Sequence, residues 1–219
     1  ARLSAAFALI SDVALGSLGG ALKRKEYLSG RLADALAWMF IGTASLKHFH
    51  DQGRPQNQHA FLDWTCTHAT HQIEGALLGV LENFPNRIAA GLTRAVTFPL
   101  GASQAKLNDR QIDAAAEAVL YDADARQDLC AGLYLPASND PGMGALEYAL
   151  KQVIAAAPAR DKLDQARRRG LLNKDEPLEM ARAAVDAGIL DQQEAALIET
   201  AEAHRNAVIQ VSDFDPVTY

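Results

Sequence analysis

Histidines are concentrated in one part of the chain, and they form the first pattern that could do chemistry. Five of the six histidines lie between residues 48 and 71. His68 and His71 are three residues apart and Glu74 is three residues further on, so a helix would present all three on one face. Inward-facing Glu and His side chains at helical spacing build di-iron sites in bundles. His68, His71 and Glu74 are therefore a candidate metal site.

Two features count against this metal site. The order His-x-x-Glu is the reverse of the usual Glu-x-x-His, and a di-iron centre needs several carboxylates. The same predicted helix offers only Asp63 and Glu82 besides Glu74. The alternative interpretation is a group of partly exposed histidines near a helix end and an interface. We expect no metal in this chain and treat the His-Glu set as the alternative.

A cluster of cations between two apolar helical patterns could meet a phosphate group of a cofactor or of coenzyme A. Its members are Lys23, Arg24, Lys25 and Arg31. The competing interpretation is a solvated corner with local ion pairs, because Glu26 and Asp34 are close in sequence and Arg31 and Asp34 have i,i+3 spacing. No cofactor-binding residue is assigned, and the four cations remain candidates.

A short amphipathic segment between two Phe-Pro steps is a candidate contact surface. A helix is predicted from about Asn86 to Thr97, with an apolar stripe of Ile88, Leu92 and Val96 or Ala95 and two arginines beside it. Such a helix could lie on a membrane or touch a partner, although it could also pack on the bundle. The predicted surface consists of Phe84, Arg87, Arg94 and Phe98.

Motifs of common enzyme classes are missing from the sequence. It has no Gly-rich phosphate loop, no Cys-x-x-Cys and no nucleophile elbow. Cys66 and Cys130 are expected to be buried thiols in a reducing compartment. No catalytic residue is therefore assigned.

Long helices must position these candidates, because alanine is abundant and aromatic residues make up only 6%. Three helices, at about 2–22, 27–51 and 56–82, are joined by short connections and should pack as an antiparallel bundle. The first is apolar nearly all round and is expected to be buried in a soluble core. Asp12 near its centre would cost about 2.5–3.5 kcal/mol in a membrane. Since the apolar pattern starts at once, we expect a piece of a longer protein.

The second half of the chain differs in composition and in predicted structure. Residues 1–100 carry a net charge of +2 and the remainder carries -8, which argues against a nucleic-acid surface. Short helices are predicted at about 109–125, 145–157, 159–169, from Pro177, and at 192–211. The expected fold is all-α, with a helical bundle at 1–101 and an acidic accessory segment of short helices and loops at 102–219.

Four strings in this sequence resemble the C-terminal region of bacterial long-chain acyl-CoA dehydrogenases of the FadE type. The first is Gly-Gly-x-Leu-Lys-x-Lys-Glu-x-Leu-Ser-Gly-Arg-Leu-x-Asp at Gly19 to Asp34. The others, in order, are Asn83-Phe-Pro-Asn-Arg87 with Phe98-Pro-Leu-Gly101, then Gly188-Ile-Leu-Asp-x-x-Glu-Ala-Ala-Leu197, then Val211-Ser-Asp-Phe-Asp-Pro216. The resemblance covers nearly the whole chain.

The resemblance implies an accessory domain behind a flavoprotein that oxidises fatty acyl-CoA to trans-2-enoyl-CoA in the first step of β-oxidation. FAD and the catalytic base would belong to the upstream flavin domain, and this chain alone would hold neither. The resemblance also implies acyl-CoA as the parent's substrate, a homo-oligomer and a cytoplasmic location. Peripheral contact with the inner membrane is a further expectation, because related very-long-chain dehydrogenases carry a C-terminal helical domain linked to membrane attachment.

An alternative of a different class is a free-standing helical binding or scaffolding module. It would bind a metal through the His48–His71 window. The two hypotheses differ in the metal content that they predict for the purified protein, because only the second predicts a bound metal.

Overall fold

The computed structural model describes residues 1–134, 136–137, 140–173 and 176–211. Within these ranges the chain forms nine α-helices and two 3-10 turns, and no strand. The prediction of an all-α fold is confirmed. Part of the string Val211–Pro216 lies outside the described residues.

Three long helices form the first part of the structure. They are α1 (Arg2–Leu18), α2 (Glu26–Asp51) and α3 (His59–Glu82), with 3-10 turns at Gly19–Arg24 and Gln56–Gln58. Gly19 ends α1 with a φ of 51°, a left-handed conformation that suits glycine. The predicted antiparallel pairing of α2 and α3 is observed. Their backbones approach closely where a β-carbon on Gly42 would lie 3.4 Å from Cβ of Ala69.

Apolar side chains from α1, α2, α3 and the following segment form the core of this bundle. They include Ile10, Leu28, Leu32, Ile73, Leu77, Val80, Phe84 and Phe98.

Helix α1 is less buried than its sequence predicts. Only Ala6, Ile10 and Ala14 are buried among its residues, so the described part of the chain does not cover its other sides. The stretch Arg2–Arg24 is also long and apolar enough to cross a membrane by length and composition, with 17% of its most apolar window buried. A core helix or a signal sequence meets the same criterion, so this property alone does not identify a membrane span.

Three shorter helices complete the first unit. They are α4 (Arg87–Thr97), α5 (Asp109–Tyr121) and α6 (Ala123–Leu129). Asn108 and Gln111 form the predicted capping box at the start of α5. The helix predicted at 109–125 is in fact two helices, because the Asp122 side chain accepts a hydrogen bond from the backbone N–H of Ala125 and starts α6.

The second unit contains α7 (Met143–Arg168), α8 (Pro177–Asp186) and α9 (Gln192–Ile209). Its core is built mainly from alanine and aliphatic side chains, including Ala156, Ala159, Leu163, Met180, Ala181, Leu190 and Ile198. The sequence predicts two helices separated near Pro158, whereas α7 continues through that proline. Because Ala156 and Ala159 on either side of it are buried, tertiary packing offsets the lost backbone hydrogen bond.

Contacts between Cα atoms divide the chain into two compact units, 1–131 and 132–219. The predicted boundary after residue 101 falls within the first unit. Helix α5 belongs there because the Gln111 side chain donates to Asp63 Oδ2 at 2.9 Å and to Thr67 Oγ1 at 3.1 Å, both on α3. A functional division at residue 101 stays a prediction.

Candidate functional site

Glu74 is a buried carboxylate on α3 that holds the loop after α4. The residue is 2% exposed, and its carboxylate accepts hydrogen bonds from the backbone N–H groups of Ser103, at 2.9 and 3.0 Å, and Gln104, at 2.7 Å. The Ser103 hydroxyl donates to it at 3.2 Å. Arg2 Nη2 lies 3.5 Å from the same carboxylate. Charge-assisted hydrogen bonds of this kind offset the cost of burying an acid.

The histidines of the candidate metal site have other contacts. The His68 ring stacks on Trp64, with centroids 5.1 Å apart, and meets Trp38 edge-on at 4.9 Å. His71 Nδ1 lies 3.4 Å from the backbone carbonyl oxygen of Gln104. Within the described ranges, no group of three or more His, Cys, Asp or Glu side chains could hold a metal ion. The arrangement thus gives no support to a metal-loaded scaffold.

The predicted basic corner surrounds a cleft of about 410 Å³ lined by Lys25, Tyr27, Leu28, Arg31 and Asn83. Arg31 Nη1 donates to the backbone carbonyl of Tyr27 at 3.2 Å. The predicted pairing of Arg31 with Asp34 is not found among the ion pairs of the described residues. Lys23 and Arg24 lie at the end of the preceding 3-10 turn. The structure therefore brings two of the four candidate cations into one cleft.

The candidate contact surface around α4 is exposed at its two predicted arginines, Arg87 and Arg94, but not at its two predicted phenylalanines. Phe84 and Phe98 are only 2% and 3% exposed and belong to the bundle core. The exposed apolar side chains are instead Ile88, Leu92 and Val96. Both phenylalanines anchor the ends of the segment, because burying an aromatic ring stabilises the fold.

The two arginines of this segment both reach back towards the end of α3. Arg87 Nη1 donates to the backbone carbonyl of Glu82, and Arg94 Nη1 lies 3.6 Å from the Glu82 carboxylate. This exposed ion pair should contribute little to stability. Arg87 and Arg94 both remain close to the exposed apolar stripe of α4.

A second cleft, of about 450 Å³, lies between α1, α2 and α3. Its walls include Trp38, Met39, Leu46, Ile73 and Gln104. Cys66 also lines it, and burial together with the nearby Asp63 carboxylate raises the pKa of the Cys66 thiol. The thiol is therefore a poor nucleophile near neutral pH.

A flavin does not fit the described residues of either cleft. Polar side chains that line the apolar cleft already have partners, since the Arg2 guanidinium contacts Ser103 and Glu74 and the Thr70 hydroxyl donates to the carbonyl of Cys66 at 2.8 Å. They offer little to recognise an isoalloxazine ring. Arg31 lies seven residues before Trp38 along α2, which corresponds to roughly 10 Å, and neither Lys25 nor Arg31 lines the apolar cleft.

The role of Glu74 as the anchor of a loop was not predicted from sequence, and neither were the roles of Arg2 and Gln104. One signal was present, since Glu74 stands among apolar residues from Ile73 to Leu78. A lone acid on an apolar face requires a partner. The sequence did not show which partner, because the Ser103 and Gln104 donors are backbone groups some 30 residues away.

Comparison with known families matches residues 1–214 of the chain to the family described as acyl-CoA dehydrogenase, C-terminal, bacterial type. No solved structure matches the chain. Since the match covers nearly every residue, the resemblance seen in the sequence is confirmed at the level of the family. The chain belongs to the bacterial-type C-terminal domain family of acyl-CoA dehydrogenases.

Proposed function

We propose that this domain braces the catalytic body of a flavin-dependent acyl-CoA dehydrogenase through an exposed apolar face of α2. The parent enzyme would oxidise fatty acyl-CoA to trans-2-enoyl-CoA. The observation that carries the proposal is the α2 face, which consists of the exposed residues Ala33, Leu36, Ala37, Phe40 and Ala44.

The α2 face has the spacing and composition of a packing surface. Its members recur at i, i+3, i+4, i+7 and i+11, which places them along one side of the helix. None is charged, and Phe40 is 74% exposed. Contiguous exposed apolar surface on a protein commonly marks a contact with another protein part.

The catalytic body is the occupant that we favour for the α2 face. The family is a C-terminal domain of the dehydrogenase, so both parts belong to one polypeptide in the parent enzyme. Covalent linkage gives an effective concentration on the order of millimolar, so a modest uncharged face is sufficient for stable docking. A second copy of the subunit is the competing occupant.

The chemistry of the reaction would belong to the catalytic body. Removing an α-proton requires a carboxylate base, and the β-hydride requires a flavin acceptor. Glu74 is a buried carboxylate in this domain, but its oxygens already accept hydrogen bonds from Ser103 and Gln104. We therefore assign no catalytic residue to this chain.

The proposal is tested in the flavin-loaded full-length enzyme with Phe40→Asp. A carboxylate in a packed apolar contact is unfavourable, so we expect a lower thermal midpoint and faster loss of flavin. The matched control is Leu92→Asp, which places the same charge on the exposed side of α4 and should change neither property. The proposal is wrong if Phe40→Asp leaves both properties unchanged. If subunits dissociate while each keeps its flavin, the α2 face contacts a second copy.

A second role, peripheral membrane contact, is favoured by the exposed stripe of α4. Ile88, Leu92 and Val96 recur every four residues, and Ile88 is 78% exposed. Fully burying one such side chain contributes about 1.5–3 kcal/mol, so three would support weak and reversible binding. This contact would hold a cytoplasmic enzyme at the inner membrane.

Sedimentation with vesicles of phosphatidylcholine and phosphatidylglycerol tests the membrane role. Leu92→Asp should reduce binding of the full-length enzyme, and Phe40→Asp should not. Equal binding by the wild type and Leu92→Asp would show that α4 does not contact the membrane.

A further inference from the structure

The cleft at the start of α2, lined by Lys25, Tyr27, Leu28, Arg31 and Asn83, has the features of an anion-binding site. We propose that it binds the phosphate group of a phosphoester. The phosphoester is either a lipid headgroup or a soluble metabolite. The inference does not depend on the proposed bracing role, because it concerns a different part of the bundle surface.

The position of Arg31 is fixed by its surroundings. Its aliphatic stem crosses α3 at Gly79, where an added β-carbon would lie 3.1 Å from Cδ and Nε. Nη1 donates to the carbonyl of Tyr27, and the other guanidinium N–H groups have no partner among the described residues. A held guanidinium with free donors binds phosphate at a low entropic cost.

Other donors converge on the same cleft. Lys25 adds an ammonium group, and no ion pair neutralises it in the described part of the chain. Asn83 Nδ2 uses one N–H group on the carbonyl of Gly79 at 2.8 Å, which leaves the second available. The N-cap of α2 is Lys25, and no side chain caps the first turn. The Leu28 N–H donates to the Lys25 carbonyl at 2.9 Å, which leaves the N–H groups of Glu26 and Tyr27. Uncapped N–H groups at a helix start favour an anion.

The acidic side chains nearby do not cancel this charge. Glu26 is in the first turn of α2 and Asp34 is two turns further on, but neither forms an ion pair with Lys25 or Arg31 in the described residues. Lys23 and Arg24 add two more cations at the end of the preceding turn. The local potential should therefore be positive and sensitive to salt.

The shape of the cleft suits an esterified phosphate. At about 410 Å³ it lies within the range of small-molecule sites and has room for more than an inorganic ion. Tyr27 is 86% exposed and offers an aromatic surface to the group that carries the phosphate. These features indicate a phosphoester as the ligand.

Binding to two probes tests the inference with the full 219-residue chain. Inorganic pyrophosphate, measured by calorimetry, represents the soluble source. Vesicles of phosphatidylcholine with phosphatidylglycerol, compared with pure phosphatidylcholine, represent the lipid source. Lys25→Gln and Arg31→Ala should each weaken binding of the favoured probe by roughly tenfold, since each removes a charge-assisted contact. Lys25→Gln is the decisive variant if Arg31→Ala impairs folding, because Lys25 is exposed.

Lys47→Gln is the matched control. It removes one positive charge near the far end of α2, where Lys47 pairs with Asp51, and it should leave binding unchanged within about twofold. Pyrophosphate binding that depends on Lys25 supports a soluble phosphate-bearing ligand, and vesicle binding that depends on Lys25 supports a lipid headgroup.

The inference is overturned if neither probe binds. It is also overturned if Lys47→Gln weakens binding as much as Lys25→Gln does. Vesicle binding that is lost in Leu92→Asp but unchanged in Lys25→Gln would leave membrane contact with α4 and exclude the lipid source for the cleft.

Discussion

The side chain of Arg31 on α2 passes directly over Gly79 on α3. A β-carbon built on Gly79 would lie 3.1 Å from both Cδ and Nε of that arginine. Glycine at position 79 thus creates the space through which the guanidinium reaches the cleft beside Asn83. The structure explains in this way why a residue with low helix propensity stands inside α3.

Replacing Gly79 by alanine should therefore stabilise the protein less than an ordinary helical Gly→Ala change. Gly75→Ala is the control, because it is on the same helix and has no atom within 4 Å of the added carbon. We expect Gly75→Ala to raise the free energy of unfolding by about 0.5–1 kcal/mol. Gly79→Ala should raise the free energy of unfolding by less than this, or lower it. Urea unfolding measures both free energies.

The Arg31→Ala background shows whether crowding of the arginine causes this difference. Without the long side chain, Gly79→Ala should give the same gain as Gly75→Ala. A Gly79→Ala gain that is equal in both backgrounds would show that Arg31 does not require the glycine.

Glu74→Gln should destabilise the first unit and release the loop after α4. The amide presents an N–H group where two backbone N–H donors, from Ser103 and Gln104, now meet a carboxylate. Since hydrogen bonds to charged groups contribute about 1.5–3 kcal/mol, we expect the free energy of unfolding to fall by an amount in that range. Amide hydrogen exchange at Ser103 and Gln104 should become faster.

Glu82→Gln is the control for this change, because it removes a charge from the end of the same helix. The Glu82 carboxylate is exposed and lies 3.6 Å from Arg94, so the loss should be at most about 1 kcal/mol. If both variants unfold at the same urea concentration, the Glu74 contacts do not stabilise the loop.

The helices could be predicted from sequence because their signals are local. Apolar periodicity placed the three long helices, and the spacing of Asn108 and Gln111 placed the start of α5 at its observed residue. The continuous α7 was missed, because burial of Ala156 and Ala159 is a tertiary property that outweighs the local effect of Pro158.

The candidate surfaces were harder to predict, since they depend on which side of an element faces the core. Phe84 and Phe98 lie just outside α4, so helical periodicity did not fix their direction, and both are buried. The stripe at Ile88 and Leu92 followed from periodicity inside the helix and is exposed. The cleft at Arg31 also depends on Gly79, which comes from a different helix.

The second unit should depend on one buried carboxylate in the same way as the first. Glu202 is 3% exposed and accepts from Arg160, while Arg205 Nη2 lies 2.8 Å from its other oxygen. Glu202→Gln would leave these two cations without a full counter-charge, so we expect a loss of about 3 kcal/mol. Thermal unfolding followed by circular dichroism measures the effect.

Glu199→Gln is the matched control on α9. Its carboxylate is exposed and lies 3.6 Å from Nε of Arg182, so the thermal midpoint should hardly change. A midpoint for Glu202→Gln that equals the control would contradict the importance of the buried pair.

Alkylation of Cys66 should require a higher pH than alkylation of a free thiol. Burial disfavours the thiolate, and the Asp63 carboxylate repels it, so the pKa of Cys66 is raised. In a Cys130→Ser background, the rate with iodoacetamide should rise with pH through a midpoint above about 8.5. Asp63→Asn should lower that midpoint, since it removes the repelling charge.

The same shift predicts how stability depends on pH. Above the pKa of the unfolded thiol, the folded state retains the Cys66 proton while the unfolded state loses it, so the free energy of unfolding falls as pH rises. Cys66→Ala should remove this part of the alkaline destabilisation. Cys130→Ala is the comparison and should retain it. Because Asp63 also accepts a hydrogen bond from Gln111, Asp63→Asn can loosen α5.

In the alkylation experiment, a midpoint of the Cys66 rate against pH that equals the midpoint of a free thiol would show that the cleft around Cys66 is open to solvent.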